Sequence, residues 1–120
     1  MLRVLSLAFG FALPLPAISD KYLLMAEENG CCWCALWNEE ISHIYPKTIE
    51  GQTTPLRRYD LPGETPDVEF VRKAHFTPTF ILVDNGRDKG RVEGYPGEDF
   101  SWSLLTMMFE RANLSLEKES

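Results

Sequence analysis

Apolar and polar positions change rhythm several times along the chain, and each change marks an element. Lys21 to Ala26 is a short apolar run suited to a strand buried on both faces, and Asn29-Gly30 turns the chain after it. From the cysteines onward, Trp33, Trp37, Ile41 and Ile44 recur at helical spacing. That predicts a helix laying one apolar stripe on a sheet, stopped by Pro46. Lys47 to Thr54 is polar and reads as a loop, and Pro55 to Asp60 reads as a strand with poor alternation. Thr65 as N-cap and Pro66 at the first helical position predict a second helix, with Asp67 near its positive end, Val68 and Val71 facing inward, and an end before His75. Thr79 to Val83 is β-branched and continuous, as in a central strand, and Asn85-Gly86 with Gly90 turns it back into Arg91 to Tyr95 as a hairpin. A last helix is predicted from Phe100 to Ala112, where Leu104, Leu105, Met108, Phe109 and Ala112 form a wide apolar face. The order β-α-β-α-β-β-α implies an α/β fold, a mixed sheet of four strands flanked by helices.

Length and charge narrow the function. A chain of 120 residues, 44% hydrophobic and 25% charged, suits one domain with one core. Its formal charge is −6 and its twelve Lys and Arg are scattered, so no nucleic-acid partner is expected. The lone basic pair, Arg57-Arg58, is too short to make a phosphate-binding surface.

Residues 1–19 read differently. Arg3 is their only charge, Val4 to Leu13 is apolar, and prolines lead to Ala17-Ile18-Ser19. This is the layout of a secretory signal peptide cleaved near Ser19, leaving a domain over 20–120. The rival readings are a buried first strand and an uncleaved anchor, and the run is too short to span a bilayer.

All three cysteines, Cys31, Cys32 and Cys34, lie within four residues, so no disulfide can staple distant segments of the chain. In an exported domain, sulfur gathered in one place points to chemistry. Gly30-Cys31-Cys32-Trp33-Cys34 follows a strand and opens a helix. The first turn of a helix has backbone N–H groups without intrahelical partners, and these favour a thiolate at Cys31. Thiols in such motifs titrate at about 3.5–7.5, against about 8.5 for a free cysteine. Cys34 comes round on the next turn, close enough to attack a mixed disulfide on Cys31 and release a reduced substrate. The dithiol needs no cofactor. Cys32 does not face Cys34 on a helix, and a bridge to Cys31 would close a strained ring. It is either the occupant of a variable position or an accessory thiol for persulfide or mixed-disulfide chemistry. Trp33 is either core filling or a flat wall beside the sulfur, and its place in the motif favours partner contact. His43 lies half a rotation from Cys34 and points away from the thiols; His75, three residues before Pro78, is either an imidazolium that assists thiolate formation or, on the better reading, an ordinary loop residue.

The strand followed by Gly-Cys-Cys-Trp-Cys-Ala-Leu-Trp, the segment Phe76-Thr77-Pro78-Thr79-Phe80, the Asn85-Gly86 hairpin and Gly94 together resemble the thioredoxin superfamily over residues 21–113. Within it, Arg57-Arg58-Tyr59-Asp60-Leu61 and the short mature chain resemble the periplasmic SoxS-type thioredoxins of sulfur-oxidation (Sox) systems. The resemblance implies a cis peptide bond before Pro78, against the cysteine pair, with Thr77 and Pro78 as substrate-binding residues. It also implies a periplasmic reductase of disulfides on a partner protein, such as a sulfur-carrier protein, fed with electrons by a membrane thiol transporter. A monomer is expected. Two departures stand out: Gly30 occupies the place before the first cysteine where many thioredoxins have tryptophan, and Met25 falls where they bury an aspartate. The second leaves Cys34 without an identified proton acceptor. Glu27 and Glu28 lie just ahead of the motif and are candidates for that acceptor, but they read better as a solvated loop.

Other readings are a glutaredoxin-like, glutathione-dependent reductase, since an aromatic precedes the second cysteine; a soft-metal module built on Cys31, Cys32 and Cys34; and a non-enzymatic adaptor. Three sulfurs this close make a poor tetrahedral set, which counts against a metal.

Overall fold

The computed structural model describes residues 20–112; residues 1–19, read above as a signal peptide, lie outside the described residues. The strands are β1 (Lys21–Glu27), β2 (Leu56–Asp60), β3 (Thr79–Asp84) and β4 (Arg87–Glu93), and the α-helices are α1 (Cys32–Trp37), α2 (Ile49–Thr53) and α3 (Glu98–Arg111). One sheet results, in the order β2-β1-β3-β4. β1 runs parallel to β2, and the β1–β3 and β3–β4 pairs are antiparallel.

Alternation along the strands divides the core in two. Leu23 and Met25 of β1 and Phe80 and Leu82 of β3 point to one face, where Cys34, Trp37, Ile41 and Tyr45 pack with Leu105, Met108 and Phe109 of α3. Tyr22, Leu24, Ala26, Ile81 and Val83 point to the other, where Ala74, Val68, Phe70 and Tyr59 cover them. The first face lies under helices and the second under a loop. The functional consequence is that α1, which carries the cysteines, is anchored by the larger cluster.

The mixed four-stranded sheet flanked by helices is as the pattern implies, but several elements differ. No helix starts at Thr65. The segment runs extended, with the Glu69 N–H donating to the Gly86 carbonyl at 2.7 Å and the Asp88 N–H to the Glu69 carbonyl at 3.1 Å. Val68 and Phe70 pack inward while Val71 is 76% exposed, so the working period is two, and the spacing of Val68 and Val71 imitated a helix. The interior helix lies instead in the stretch read as a loop. Pro46 sits in a 3-10 turn over Tyr45–Lys47, and Thr48 caps α2 by accepting from the Gly51 N–H at 3.0 Å. A side chain at Gly51 would overlap the Tyr45 carbonyl, so glycine is needed where α2 meets that turn. The Tyr45 hydroxyl donates to the Thr54 carbonyl at 2.7 Å and fastens the far end.

Along the cysteine helix the buried positions are Cys34, Trp37, Ile41 and Tyr45, not Trp33 and Ile44; α1 continues into a π-helical turn over Asn38–Ser42, whose extra residue brings Tyr45 inward in place of Ile44. The hairpin is tighter than predicted: Asn85 and Gly86 take φ of 52° and 79°, and β4 begins at once at Arg87.

Asp88 holds the loop against the sheet. Its carboxylate accepts from the Val71 N–H at 3.1 Å and from Arg91 Nη2 at 2.7 Å, and the side chains of Arg91 and Asp88 are only 7% and 2% exposed. Removing one partner of so enclosed a pair leaves a charge without compensation. Asp88→Ala is therefore expected to lower unfolding stability by about 3 kcal/mol in a urea titration.

Candidate active site

The cysteine segment is placed by a turn and a cap. At the end of β1, the Cys31 N–H donates to the Glu28 carbonyl at 3.3 Å, and Gly30 takes φ +82°, which an L side chain adopts only under strain. That explains why glycine, and no tryptophan, precedes the motif. Cys31 is then the extended N-cap of α1, with φ −77° and ψ 103°.

Cys31 and Cys34 form a disulfide, with Cα atoms 5.2 Å apart. The Cys34 N–H donates to Cys31 Sγ at 3.1 Å, so the cap position holds sulfur where serine or aspartate would usually hold oxygen. The donor is one of the first-turn N–H groups of the helix that have no intrahelical partner. Cys31 is half-buried, whereas Cys34 is 4% exposed and belongs to the core beside Trp37. Cys32 is free and exposed, and Trp33 is 56% exposed on the outer side of the same turn.

The Thr77–Pro78 peptide is cis. Pro78 is fully buried, and its carbonyl accepts the Gly94 N–H at 2.7 Å. The Thr77 hydroxyl donates to Glu28 Oε1 at 2.8 Å, tying this loop to the residue whose carbonyl holds the Cys31 N–H. Among the described residues, no backbone hydrogen bond engages Thr77. Phe76, next to it, is 62% exposed.

A cleft of about 250 Å³ opens on the disulfide, and Glu27, Glu28, Asp60 and Asn38 line it with Cys31 and Cys34. Glu27 pairs in register with Asp60, and Met25 with Arg58. Arg58 reaches from β2 to Glu27 Oε2 at 2.6 Å and to Ser42 Oγ at 2.9 Å, with its guanidinium over the Trp37 ring. Glu27 is thus the last residue of β1, and the solvated-loop reading of it fails. Sequence reasoning did not single out Asp60 and Arg58 as site residues. The signal was the alternation Leu56, Arg58, Asp60, which puts both on the face of α1. His43 and His75 are exposed, and neither lines this cleft. Among the described residues, no group of three His, Cys, Asp or Glu side chains is arranged to hold a metal ion.

The structure is similar to the crystal structure of the periplasmic thioredoxin SoxS from Paracoccus pantotrophus in its reduced form, with a TM-score of 0.75 and 42% sequence identity. The match covers 78% of this chain and 99% of that chain. No protein-family model and no curated protein matches the chain.

The turn into the site gives a direct test. Nothing lies within 4 Å of a Cβ built at Gly30, so Gly30→Ala meets only the backbone cost of a left-handed conformation. It is expected to lower stability by roughly 1–2 kcal/mol, read as a drop of several degrees in Tm of the oxidised protein.

Proposed function

Because the chain belongs to the SoxS-type periplasmic thioredoxins and is a periplasmic thiol-disulfide oxidoreductase, we propose that it works as a reductase of a blocked cysteine on an exported partner. The partner we favour is a sulfur-carrier protein of a Sox system, with electrons supplied by a membrane thiol transporter. Residues 1–19 serve as the export signal in this reading, and the domain over 20–120 acts as a monomer with no cofactor beyond its dithiol.

One observation carries the assignment of steps: the two sulfurs of the pair differ in access. The half-buried Cys31 Sγ, supported by the Cys34 N–H at 3.1 Å, is the nucleophile. As thiolate it attacks the partner disulfide, forming a mixed disulfide and releasing the distal sulfur. Cys34, 4% exposed, is out of reach of a protein partner and acts only on Cys31. Its attack closes the Cys31–Cys34 bond and frees the reduced partner.

Binding falls to the surface around the pair. Thr77 offers its backbone to an extended segment in the manner of a sheet edge, and buried Pro78 shapes that edge without touching the partner. The exposed rings of Trp33 and Phe76 supply apolar contact. Three carboxylates in the cleft beside the disulfide make a poor seat for the carboxylates of glutathione, which favours a protein substrate. The sulfurs of Cys31 and Cys34 are bonded to each other, which favours redox chemistry over the soft-metal module. Cys32 occupies the variable position and stands outside the exchange.

Cys34→Ser is expected to trap a covalent adduct with the natural partner in periplasmic extracts, resolved by non-reducing electrophoresis and released by dithiothreitol. Cys31→Ser should abolish the adduct and cut disulfide reduction by more than a hundredfold, while Cys32→Ser keeps both. Failure of Cys34→Ser to capture any protein, with Cys31 intact and reduced, would contradict the proposal.

A further inference from the structure

The resolving step has a requirement that the dithiol cannot meet alone. Cys34 sits in an apolar cluster, and burial in such surroundings favours the neutral thiol over the thiolate. It must lose its proton as it attacks. The residue behind it on β1, Met25, has no acid-base chemistry, and its sulfur lies 3.7 Å from Arg58 Nη1.

The next position on the same face does have such chemistry. Strand alternation puts Glu27 on the side of Leu23 and Met25, toward α1, and Glu27 and Cys34 line the same cleft. Resting on the dithiol-exchange reading above, we infer that Glu27, held at the mouth of this cleft by Arg58, is the proton acceptor for Cys34 in the resolving step.

The balance is complete. The Cys34 S–H proton passes to a Glu27 carboxylate oxygen, directly or through one water in the cleft. The Cys34 sulfur attacks Cys31 Sγ, the Cys31–partner S–S bond breaks, and the partner sulfur leaves with the electron pair as thiolate. The dithiol is oxidised by two electrons and the partner reduced by two. Glu27 then returns its proton to solvent through the open side of the cleft.

The charged groups that face Glu27 set its context. Asp60 lies beside it in register on β2, Glu28 follows it and is engaged by Thr77, and Arg58 donates to it. Among the described residues, the helical side contributes the neutral Ser42 and Asn38. Arg58 also bonds Ser42 and covers Trp37, so the carboxylate is fixed relative to the segment that carries Cys34.

The test uses the full chain in a Cys32→Ser background with 2,2′-dithiodipyridine, a neutral disulfide. Release of the first thiopyridone reports attack by Cys31, and release of the second reports resolution by Cys34. Glu27→Gln keeps the hydrogen bond to Arg58 and is expected to leave the first release within about twofold. The second should slow by about a hundredfold or more and become dependent on hydroxide across neutral pH, with partial recovery in Glu27→Asp. Arg58→Met, which frees the carboxylate but keeps it, should slow the second release much less. An unchanged second release in Glu27→Gln, or equal slowing of both releases in Glu27→Gln and Arg58→Met, would overturn the inference and leave the exchange reading standing. Absence of the first release from the wild-type protein would overturn both.

Discussion

The hydrogen bond from the Cys34 N–H to the Cys31 sulfur is the contact on which this structure's chemistry depends. It joins the two halves of the redox pair by backbone, so the sulfur that receives the bond is poised by the residue that displaces the partner in the proposed exchange. Everything nearby serves that geometry. The Gly30 turn delivers Cys31 to the cap position, and Trp37 and Ile41 lock the helical segment into the core. Thr77 and Glu28 tie the cis-proline loop to the same turn.

The two faces of the sheet carry different duties. The helical face buries large side chains, Trp37, Tyr45 and Phe109 among them, and gives the redox segment a rigid floor. The opposite face is closed by an extended loop that depends on polar fastenings: the backbone bonds of Glu69 and the enclosed Asp88–Arg91 pair. The same loop continues into Phe76, Thr77 and Pro78, so the side of the fold held by fewer apolar contacts is the one that presents the proposed binding edge. The scaffold for chemistry and the surface for recognition are thus supported by different forces.

The parts of the site legible in the sequence were those with punctuation. Asn29-Gly30 before a cysteine pair, then an apolar helical stripe, favoured the redox reading of the motif over the metal and adaptor readings, and the family resemblance supplied the cis-proline loop. The fold class followed from β1, β3 and the last helix, each strongly patterned. The errors have physical sources. Thr65-Pro66 is as good an opening for a loop as for a helix, and Val68 with Val71 fits period three as well as Val68 with Phe70 fits period two. α2 was invisible because only Gly51 of its residues is buried, so no apolar stripe announces it. Glu27 was misplaced because the end of a strand is fixed by its partner, here Asp60, and pairing across the sheet is not written in local sequence.

If the account is right, the Cys31 sulfur is an anion at neutral pH because of where the chain holds it. The direct measurement is the pH titration of thiolate absorbance near 240 nm in reduced protein, with Cys31→Ser as the reference that isolates its signal. The account predicts that Cys31 ionises well below the ordinary range of a free cysteine, with Cys34 still protonated there. Ionisation of Cys31 in the ordinary range, or of Cys34 ahead of it, would contradict the account.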